Sequence, residues 1–354
     1  MQLKEACARQ RRLVLFRGWT QNGLWPCAGD DAKRGPTMSV QFHDFAPPAD
    51  DFRQAVLAGL AQTPKRLPSR FIYDERGSHL FEAILEEPEY YVPRVEIALL
   101  RARGAELAAL TGPRAYVVDY GSGSGRKARL LLDALKEPAV YAPIDISREH
   151  LLAAAEALAA DYPRLEVHAV CADFLRPFTL PEPRAAAVGK RIGFFPGSTI
   201  GNMTPEQRGQ FLATARAMLA GGGFIVGVDL KKDPAVLRAA YNDARGASAA
   251  FNTNILVRAN SELGADFDLA AFRHRAEYDA EHGRMEIGIE CLKPQTVHVG
   301  GAAFAFAAGE VIITQYAHKF TTEEFAAAAK AAGFDPRQVW TDADRMFAMH
   351  FLSA

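Results

Sequence analysis

The sequence comprises 354 residues, of which 49% are hydrophobic and 23% charged, a composition typical of a globular protein of about two domains. With 41 basic and 42 acidic residues the formal net charge is −1, which argues against a nucleic-acid or membrane-surface binder held by charge. No apolar run approaches the roughly 20 residues that span a bilayer. The four cysteines are scattered and form no C-x-x-C pair, which disfavours a disulfide framework and a structural zinc site. We therefore expect a cytoplasmic monomer that binds no nucleic acid, membrane or metal.

Residues 1–37 differ from the rest of the chain. They contain two of the three tryptophans and two of the four cysteines, but no periodic apolar pattern. Met38 follows directly and is a candidate start of translation. We interpret residues 1–37 as a disordered tail or as an extension produced by start-codon choice.

Between about residues 95 and 230, predicted strands alternate with predicted helices. Helix-start signals support this pattern: Ser147 is a candidate N-cap, and Thr204 with Pro205 and Gln207 forms a capping-box pattern. Five such alternations with short connections predict a doubly wound parallel sheet of the α/β class. The predicted strands are Ala115–Asp119, Val140–Ile146, Leu165–Val170, Ile192–Phe195 and Phe224–Val228.

After Asp229 the alternation stops. Residues 231–280 are predicted to be helical, residues 284–320 are rich in strands, and a capping box at Thr321 opens an alanine-rich helix. Two closing strands are predicted near residues 339–340 and 346–352. We expect residues 95–230 plus 320–354 to form the sheet domain, and residues 45–94 plus 231–319 to form a second, α+β substrate-binding domain over its ligand edge.

A glycine loop, Asp119-Tyr-Gly-Ser-Gly-Ser-Gly125, directly follows the first predicted strand and opens a helix. Its G-x-G-x-G spacing differs from the dinucleotide pattern G-x-G-x-x-G, and no G-K-[ST] follows for a triphosphate. Glycine here allows the backbone to approach a ligand closely. The loop resembles motif I of class I S-adenosylmethionine (SAM)-dependent methyltransferases.

Acidic residues end the next two predicted strands. Asp145 is placed to accept hydrogen bonds from ribose hydroxyls, and Asp173 with Phe174 to meet an adenine amino group and stack on its ring. Each acid alone would be typical of a helix cap or a solvated strand end. Because the carboxyl ends of parallel strands meet at one edge of the sheet, the loop and these residues together predict a SAM site.

Three further motifs stand out along the chain. They are Pro64-Lys-Arg-Leu-Pro68 continuing through Phe71-Ile-Tyr-Asp-Glu-Arg-Gly-Ser78 to Pro88-Glu-Tyr-Tyr91, then Gly197-Ser-Thr-Ile-Gly-Asn202, and Ala249-Ala-Phe-Asn252-x-Asn254. These motifs resemble the histidine Nα-methyltransferase family of ergothioneine biosynthesis, and the resemblance extends from residue 45 to the C-terminus. It implies SAM-dependent trimethylation of an amino acid's α-amine to a betaine, which for histidine is hercynine.

The resemblance also implies the site residues. SAM contacts fall on Gly121, Ser122, Gly123, Lys127, Asp145, Asp173 and Phe174. Contacts to the substrate fall on Asn202 and Tyr241 for its carboxylate, Tyr73, Phe81 and the backbone of Gly197 for its amine, and Tyr90 for its side chain.

The chemistry of methyl transfer suits these residue types. A neutral amine attacks a sulfonium methyl, so the enzyme aligns the two and excludes water, without a metal or a nucleophile of its own. Tyr73 is the candidate catalytic residue, because we expect either solvent or a tyrosine-bound water to take the amine proton. A wall of Tyr73, Phe81 and Tyr90 presents π faces to the increasingly methylated ammonium, at about 0.5–2 kcal/mol per contact.

The sequence departs from the family in the predicted side-chain pocket. Where the histidine enzymes carry Thr-Glu-x-Ser-x-Lys, this chain has Gln315 for the glutamate and Ala317 for the serine. Each replacement forfeits on the order of 1 kcal/mol of hydrogen bonding to an imidazole. A pocket made less polar in this way is expected to suit tryptophan, tyrosine, phenylalanine or a modified histidine better.

Two readings from other classes remain open at this stage. A non-catalytic SAM or amino-acid binding protein would keep the fold, although the retained Asp145, Asn202 and Tyr241 argue against it. A dinucleotide-dependent oxidoreductase is the other reading, and NADH binding would distinguish it.

Overall fold

The computed structural model describes residues 40–46, 51–185 and 187–354. The predicted tail, residues 1–37, lies outside the described residues. Within the described ranges the strands form an eight-stranded, a three-stranded and a two-stranded sheet. Among the helices in these ranges, none is long and apolar enough to cross a membrane.

The strands follow one another along the chain as β1 (Gln41–Phe45), β2 (Tyr116–Tyr120), β3 (Val140–Asp145), β4 (Glu166–Ala172), β5 (Arg191–Phe195), β6 (Gly223–Asp229), β7 (Phe272–Asp279), β8 (Arg284–Cys291), β9 (Gln295–Val299), β10 (Ala302–Phe306), β11 (Val311–His318), β12 (Asp335–Thr341) and β13 (Phe347–Ser353). The helices are α1 (Asp51–Leu60), α2 (Glu75–Leu85), α3 (Val92–Thr111), α4 (Arg126–Ala134), α5 (Arg148–Asp161), α6 (Pro205–Met218), α7 (Pro234–Tyr241), α8 (Ala247–Leu263) and α9 (Thr322–Ala331).

The large sheet has the order β1-β4-β3-β2-β5-β6-β13-β12. Strands β1 to β6 pair in parallel, whereas β13 runs antiparallel to β6 and β12 antiparallel to β13. Side chains of α3, α4 and α5 pack on one face, and those of α6 and α9 on the other. Burial on both faces explains why these strands are continuous apolar runs. The predicted doubly wound α/β sheet is confirmed.

The helix-start predictions have mixed outcomes. Thr204 with Gln207, and Thr321 with Glu324, form complete capping boxes. Ser147 occupies the N-cap position of α5, but its side chain makes no capping hydrogen bond. Its hydroxyl instead lies 3.3 Å from that of Ser78, so the prediction of its position was right and that of its role was wrong.

The segment between β6 and α9 packs over the carboxyl edge of the large sheet. It contains α7, α8, the antiparallel sheet β11-β8-β7 and the hairpin β9-β10. The prediction that residues 231–280 are helical was wrong for β7, in which Phe272 and Ala276 are buried while the residues around them are more exposed. A spacing of four residues places side chains on one face in a helix and in a strand alike. The division into two domains stays a prediction.

Candidate active site

A cavity with about 670 Å³ of empty volume lies beside the carboxyl ends of β5 and β6. It collects the predicted substrate residues Tyr73, Phe81, Tyr90, Gly197, Asn202, Tyr241 and Gln315 from six separate parts of the chain. Its wall is completed by Ile84, Ser198, Thr199, Ala240, Ser248, Phe251, Asn252, His274 and Ile287. Ala317 is not among the lining residues. It is buried in an apolar cluster against which Tyr241 packs.

One wall of the cavity is aromatic. The ring of Tyr73 lies 5.5 Å from that of Phe81 and 5.1 Å from that of Phe251, and both contacts are edge-to-face. The Phe81 and Phe251 rings are 5.6 Å apart. Sequence reasoning missed Phe251, although it directly precedes Asn252 in one of the recognised motifs.

The Tyr73 segment is held against α8 by an amide. Asn254 Nδ2 donates to the carbonyl of Ile72 at 3.1 Å and to the carboxylate of Asp74 at 2.8 Å. Its Oδ1 accepts from Arg76 at 2.7 Å. Asn254, a residue of α8, therefore holds the residues on both sides of Tyr73 in place.

The opposite end of the cavity carries Asn202 and Tyr241. Gly197 and Ser198 have left-handed φ values of 79° and 57°, which turn the chain sharply after β5 and bring the 3₁₀ turn Thr199–Asn202 to the cavity. The side-chain amide of Asn202 makes no hydrogen bond to any described residue. Tyr90 packs edge-on against Tyr241, with ring centroids 6.0 Å apart.

The three tyrosines of the cavity keep their phenolic protons at neutral pH. Burial raises the pKa of Tyr73 far above its usual range, and the charge of Asp145 adds to this. Burial likewise raises the pKa of Tyr90 and of Tyr241. All three hydroxyls are therefore neutral groups able to donate or accept hydrogen bonds.

A buried ionic network lies behind Tyr241. Asp229 ends β6 with 0% exposure, and it contacts the ammonium groups of Lys232 at 2.5 Å and Lys319 at 2.6 Å. The hydroxyl of Tyr91 donates to the same carboxylate at 2.7 Å. Burial would raise the pKa of Asp229, but the two lysines outweigh it and hold that pKa below its usual range. Sequence reasoning missed this ionic network. The one sequence feature that could have indicated it is Asp229, an acid at the carboxyl end of a predicted sheet strand.

At the end of the cavity that is predicted to hold the substrate's side chain, Asn252 and His274 are already hydrogen-bonded within the protein. Asn252 Nδ2 donates to the carbonyl of Gly288 at 2.8 Å and lies 3.0 Å from His274 Nδ1, while its Oδ1 accepts from Thr314. Burial lowers the pKa of His274, so the ring is neutral, and its Nε2 lies 2.8 Å from the carbonyl of Tyr241. Gln315, in contrast, forms no side-chain hydrogen bond within the described part of the chain. Its amide is available to a ligand.

The glycine loop has the geometry of a ligand cradle. Gly121, Gly123 and Gly125 have φ values of 68°, 50° and 70°, and a Cβ at Gly123 would meet nothing within 4 Å. Asp145 braces the loop, because its carboxylate accepts from the N–H of Gly123 at 3.1 Å. The hydroxyl of Ser122 is buried with no partner in the described ranges. A left-handed loop with open space and an unsatisfied polar atom fits the polar part of a nucleoside ligand.

Asp173 and Phe174 adjoin this loop. A Cβ on Gly121 would lie 3.8 Å from the ring of Phe174, which itself packs edge-to-face on Phe195 at 5.5 Å. Asp173 is 8% exposed and lies within 3.8 Å of Arg70. Phe174, one of the predicted SAM residues, therefore lies directly beside the loop, and Asp173 directly precedes it in the chain.

Lys127 connects the loop region with the cavity. Its ammonium lies 2.6 Å from the carboxylate of Glu96, which is 1% exposed. That carboxylate also accepts from the backbone N–H of Gly197 at 2.9 Å and 3.0 Å. Sequence reasoning missed Glu96.

Comparison with known proteins decides the family. The family model described as "Histidine-specific methyltransferase, SAM-dependent" matches residues 52–354. The chain belongs to this family.

Individual relatives agree with this assignment. The methyltransferase is 40% identical to the histidine N-alpha-methyltransferase of Mycolicibacterium smegmatis over 83% of this chain and 92% of that one. It is 41% identical to the histidine N-alpha-methyltransferase of Mycobacterium tuberculosis, over 82% and 91% of the two chains. It also resembles ergothioneine biosynthesis protein 1 of Neurospora crassa at 34% identity, over 62% of this chain and 26% of that protein.

The predicted SAM dependence and the methyltransferase fold class are confirmed by the family match and the sheet order. Within residues 40–46, 51–185 and 187–354 of the methyltransferase, no group of three or more His, Cys, Asp or Glu side chains is placed to hold a metal.

Proposed function

We propose that this methyltransferase transfers methyl groups from SAM to the α-amine of L-histidine until the trimethylated betaine, hercynine, is formed. The proposal is carried by one cavity. It brings together an aromatic wall, the hydrogen-bond donors of Asn202 and Tyr241, and the unpaired side-chain amide of Gln315. We further propose that the enzyme is a cytoplasmic monomer that acts on a small molecule and binds neither nucleic acid nor membranes.

The glycine loop and its neighbours would hold SAM. Asp145 retains acceptor capacity for ribose hydroxyls beyond its bond to the loop, and Phe174 offers a ring face beside Gly121. We assign the polar and ring contacts to Gly121, Ser122, Gly123, Lys127, Asp145, Asp173 and Phe174. When bound, SAM supplies an electrophilic methyl group on a cationic sulfur.

The amine end belongs to Tyr73, Phe81 and Phe251. Because the Tyr73 hydroxyl keeps its proton, Tyr73 is no strong base; its oxygen accepts a hydrogen bond from the amine and orients the nitrogen lone pair. The proton leaves to a water held by the same hydroxyl. Each transfer removes one N–H donor from the substrate, yet the π faces of Tyr73, Phe81 and Phe251 still attract the ammonium at about 0.5–2 kcal/mol per contact. This makes three rounds feasible in one site.

The carboxylate end belongs to Asn202 and Tyr241. Asn202 offers an amide N–H that no described residue uses, and Tyr241 offers a phenolic O–H. Two donors at fixed positions hold an α-carboxylate in one orientation, which sets the direction of the amine.

The side-chain end favours a neutral group. Gln315 accepts from an imidazole N–H, or donates to the other ring nitrogen, without a charge. The same neutrality supports a second candidate, an Nα-methyltransferase for an aromatic amino acid, because the wall near Gln315 also includes the apolar Ile287. The two candidates differ in side chain but share the amine and carboxylate chemistry.

A competition assay tests which amino acid is used. The purified protein is incubated with SAM and an equimolar mixture of the proteinogenic amino acids, and the methylated products are identified by mass spectrometry. Histidine consumed first is the expected result. Preferential methylation of tryptophan, tyrosine or phenylalanine would favour the second candidate, and no product with any amino acid would contradict both. Binding of NADH in place of SAM would instead favour a dinucleotide-dependent oxidoreductase.

A further inference from the structure

Lys319 is a buried cation that the proposed chemistry has not used. It directly follows β11, and its side chain is 1% exposed. Its Nζ lies 2.6 Å from Asp229 and donates to the hydroxyl oxygen of Tyr241 at 2.8 Å. A buried ammonium is stable only when close partners replace the water around it. The role of Lys319 must therefore lie in its contacts with Asp229 and Tyr241.

The carboxylate of Asp229 is shared by two lysines. The ammonium groups of Lys232 and Lys319 both contact this single buried carboxylate. Lys232 also donates to the hydroxyl of Tyr91 and to the carbonyl of Leu230, which lie away from the lining of the cavity. Lys319 is the member of the pair that contacts a residue of the cavity wall, Tyr241.

Lys319 also fixes the direction of the Tyr241 hydrogen bond. An ammonium donates and never accepts, so the phenol oxygen of Tyr241 acts as the acceptor in this contact. The phenolic proton must then be donated elsewhere. Within the described ranges it is donated to no protein group, and the remaining direction is the cavity that Tyr241 lines.

We propose that Lys319 is a positioning residue that selects substrates with a free α-carboxylate. It holds Tyr241 as a donor toward the cavity, and the phenolic O–H donates a stronger, charge-assisted hydrogen bond to a carboxylate than to the neutral carbonyl of an amide or ester. The substrate class is therefore free α-amino acids, as opposed to their amides, their esters and the decarboxylated amines. This inference rests on the proposed function, because it assumes that the amino acid's carboxylate meets Tyr241.

Binding of two ligands that differ at the carboxylate tests the inference. Calorimetry with S-adenosylhomocysteine present measures the affinities of L-histidine and L-histidinamide for the wild type and for Lys319→Met. We expect Lys319→Met to bind histidine about tenfold more weakly or worse, while its affinity for histidinamide changes less than about threefold. S-adenosylhomocysteine affinity should be unchanged, which a merely structural defect would not preserve.

A cycle with Tyr241→Phe separates action through Tyr241 from independent effects. If Lys319 acts through this phenol, the double variant binds histidine no more weakly than Tyr241→Phe alone. A lone buried charge can unfold a protein, but Lys319→Met leaves Asp229 paired with the ammonium of Lys232 and so strands no buried charge.

The outcomes separate this inference from the proposed function. Equal losses for histidine and histidinamide, or additive losses in the cycle, would overturn the role of Lys319 while leaving histidine as the substrate. A wild-type protein that binds neither ligand would overturn the proposed function, and the inference would fall with it.

Discussion

The carboxylate of Glu96 lies 2.6 Å from the ammonium of Lys127, and it also accepts from the backbone N–H of Gly197. Lys127 belongs to the first turn of the helix that follows the glycine loop, whereas Gly197 lines the amine end of the cavity. One buried acid from α3 therefore connects the proposed cofactor site with the proposed substrate site.

This connection predicts that Glu96→Gln weakens both sites. The variant leaves Lys127 without its anionic partner and weakens the bond to Gly197, so SAM affinity and the KM for histidine should each worsen about tenfold. Calorimetry and steady-state kinetics measure the two. Glu86→Gln is the matched control, since Glu86 pairs with Arg126 on the exposed surface and its loss should change neither quantity. A change in one site only would contradict the connection.

Asp145→Ala is expected to weaken SAM binding roughly tenfold to a hundredfold, because it removes a charged acceptor and the brace on Gly123. Asn202→Ala is the matched variant at the other end. It should mainly raise the KM for the amino acid and leave SAM affinity unchanged. Calorimetry on both variants decides; equal SAM affinity in the wild type and Asp145→Ala would contradict the assignment of the cofactor site.

Gln315→Glu, alone and with Ala317→Ser, is expected to improve histidine turnover. A carboxylate in the cavity wall forms a charge-assisted bond to the imidazole, worth about 1 kcal/mol or roughly fivefold in kcat/KM. Because Ala317 is buried beside Tyr241 and does not line the cavity, the Gln315 change should supply most of the gain. The interpretation of these two positions is wrong if the double variant is no better on histidine.

Asp119 makes stability depend on pH in an unusual direction. Burial raises the pKa of Asp119 to about 7, and its Oδ1 has no partner within the described residues. The folded state thus binds more protons than the unfolded state between about pH 4 and 7, so the contribution of Asp119 to stability falls as pH rises through that window.

Asp119→Asn removes this titration and keeps an acceptor for Tyr141. Relative to the variant, the wild type should lose on the order of 2–4 kcal/mol of unfolding free energy between pH 4 and pH 8. Urea denaturation of both proteins without SAM at the two pH values measures the difference. A difference that does not change with pH would contradict the raised pKa.

The large sheet could be predicted because its strands are buried on both faces and therefore read as apolar runs, with a glycine loop and acids at their carboxyl ends. The edge strand β1 was missed. It has only five residues, is partly exposed, and is defined by its parallel pairing with β4, which lies far away in the sequence. Strand β7 was missed because its two buried residues have a spacing that also fits a helix.

The cavity residues Tyr73 and Asn202 could be predicted because a recognised motif contains each of them, and Tyr241 because the wider family resemblance implies it. The burial of Glu96, Asp229 and Lys319 could not be predicted, although Lys319 is the lysine of the Thr-Glu-x-Ser-x-Lys pattern, because a charged residue in a sequence is usually solvated. Their burial and pairing result from contacts between distant segments: Glu96 in α3 meets Lys127 in α4, and Lys319 after β11 meets Asp229 at the end of β6. Such pairs become visible only in the folded chain.

Trimethylation of histidine on its α-nitrogen can be measured directly. The wild-type protein is incubated with L-histidine and SAM carrying a deuterated methyl group, and the label is located by tandem mass spectrometry. We expect a product with three labelled methyl groups, all on the α-nitrogen. Label on the imidazole ring, or histidine recovered unlabelled while another amino acid is methylated, would contradict it.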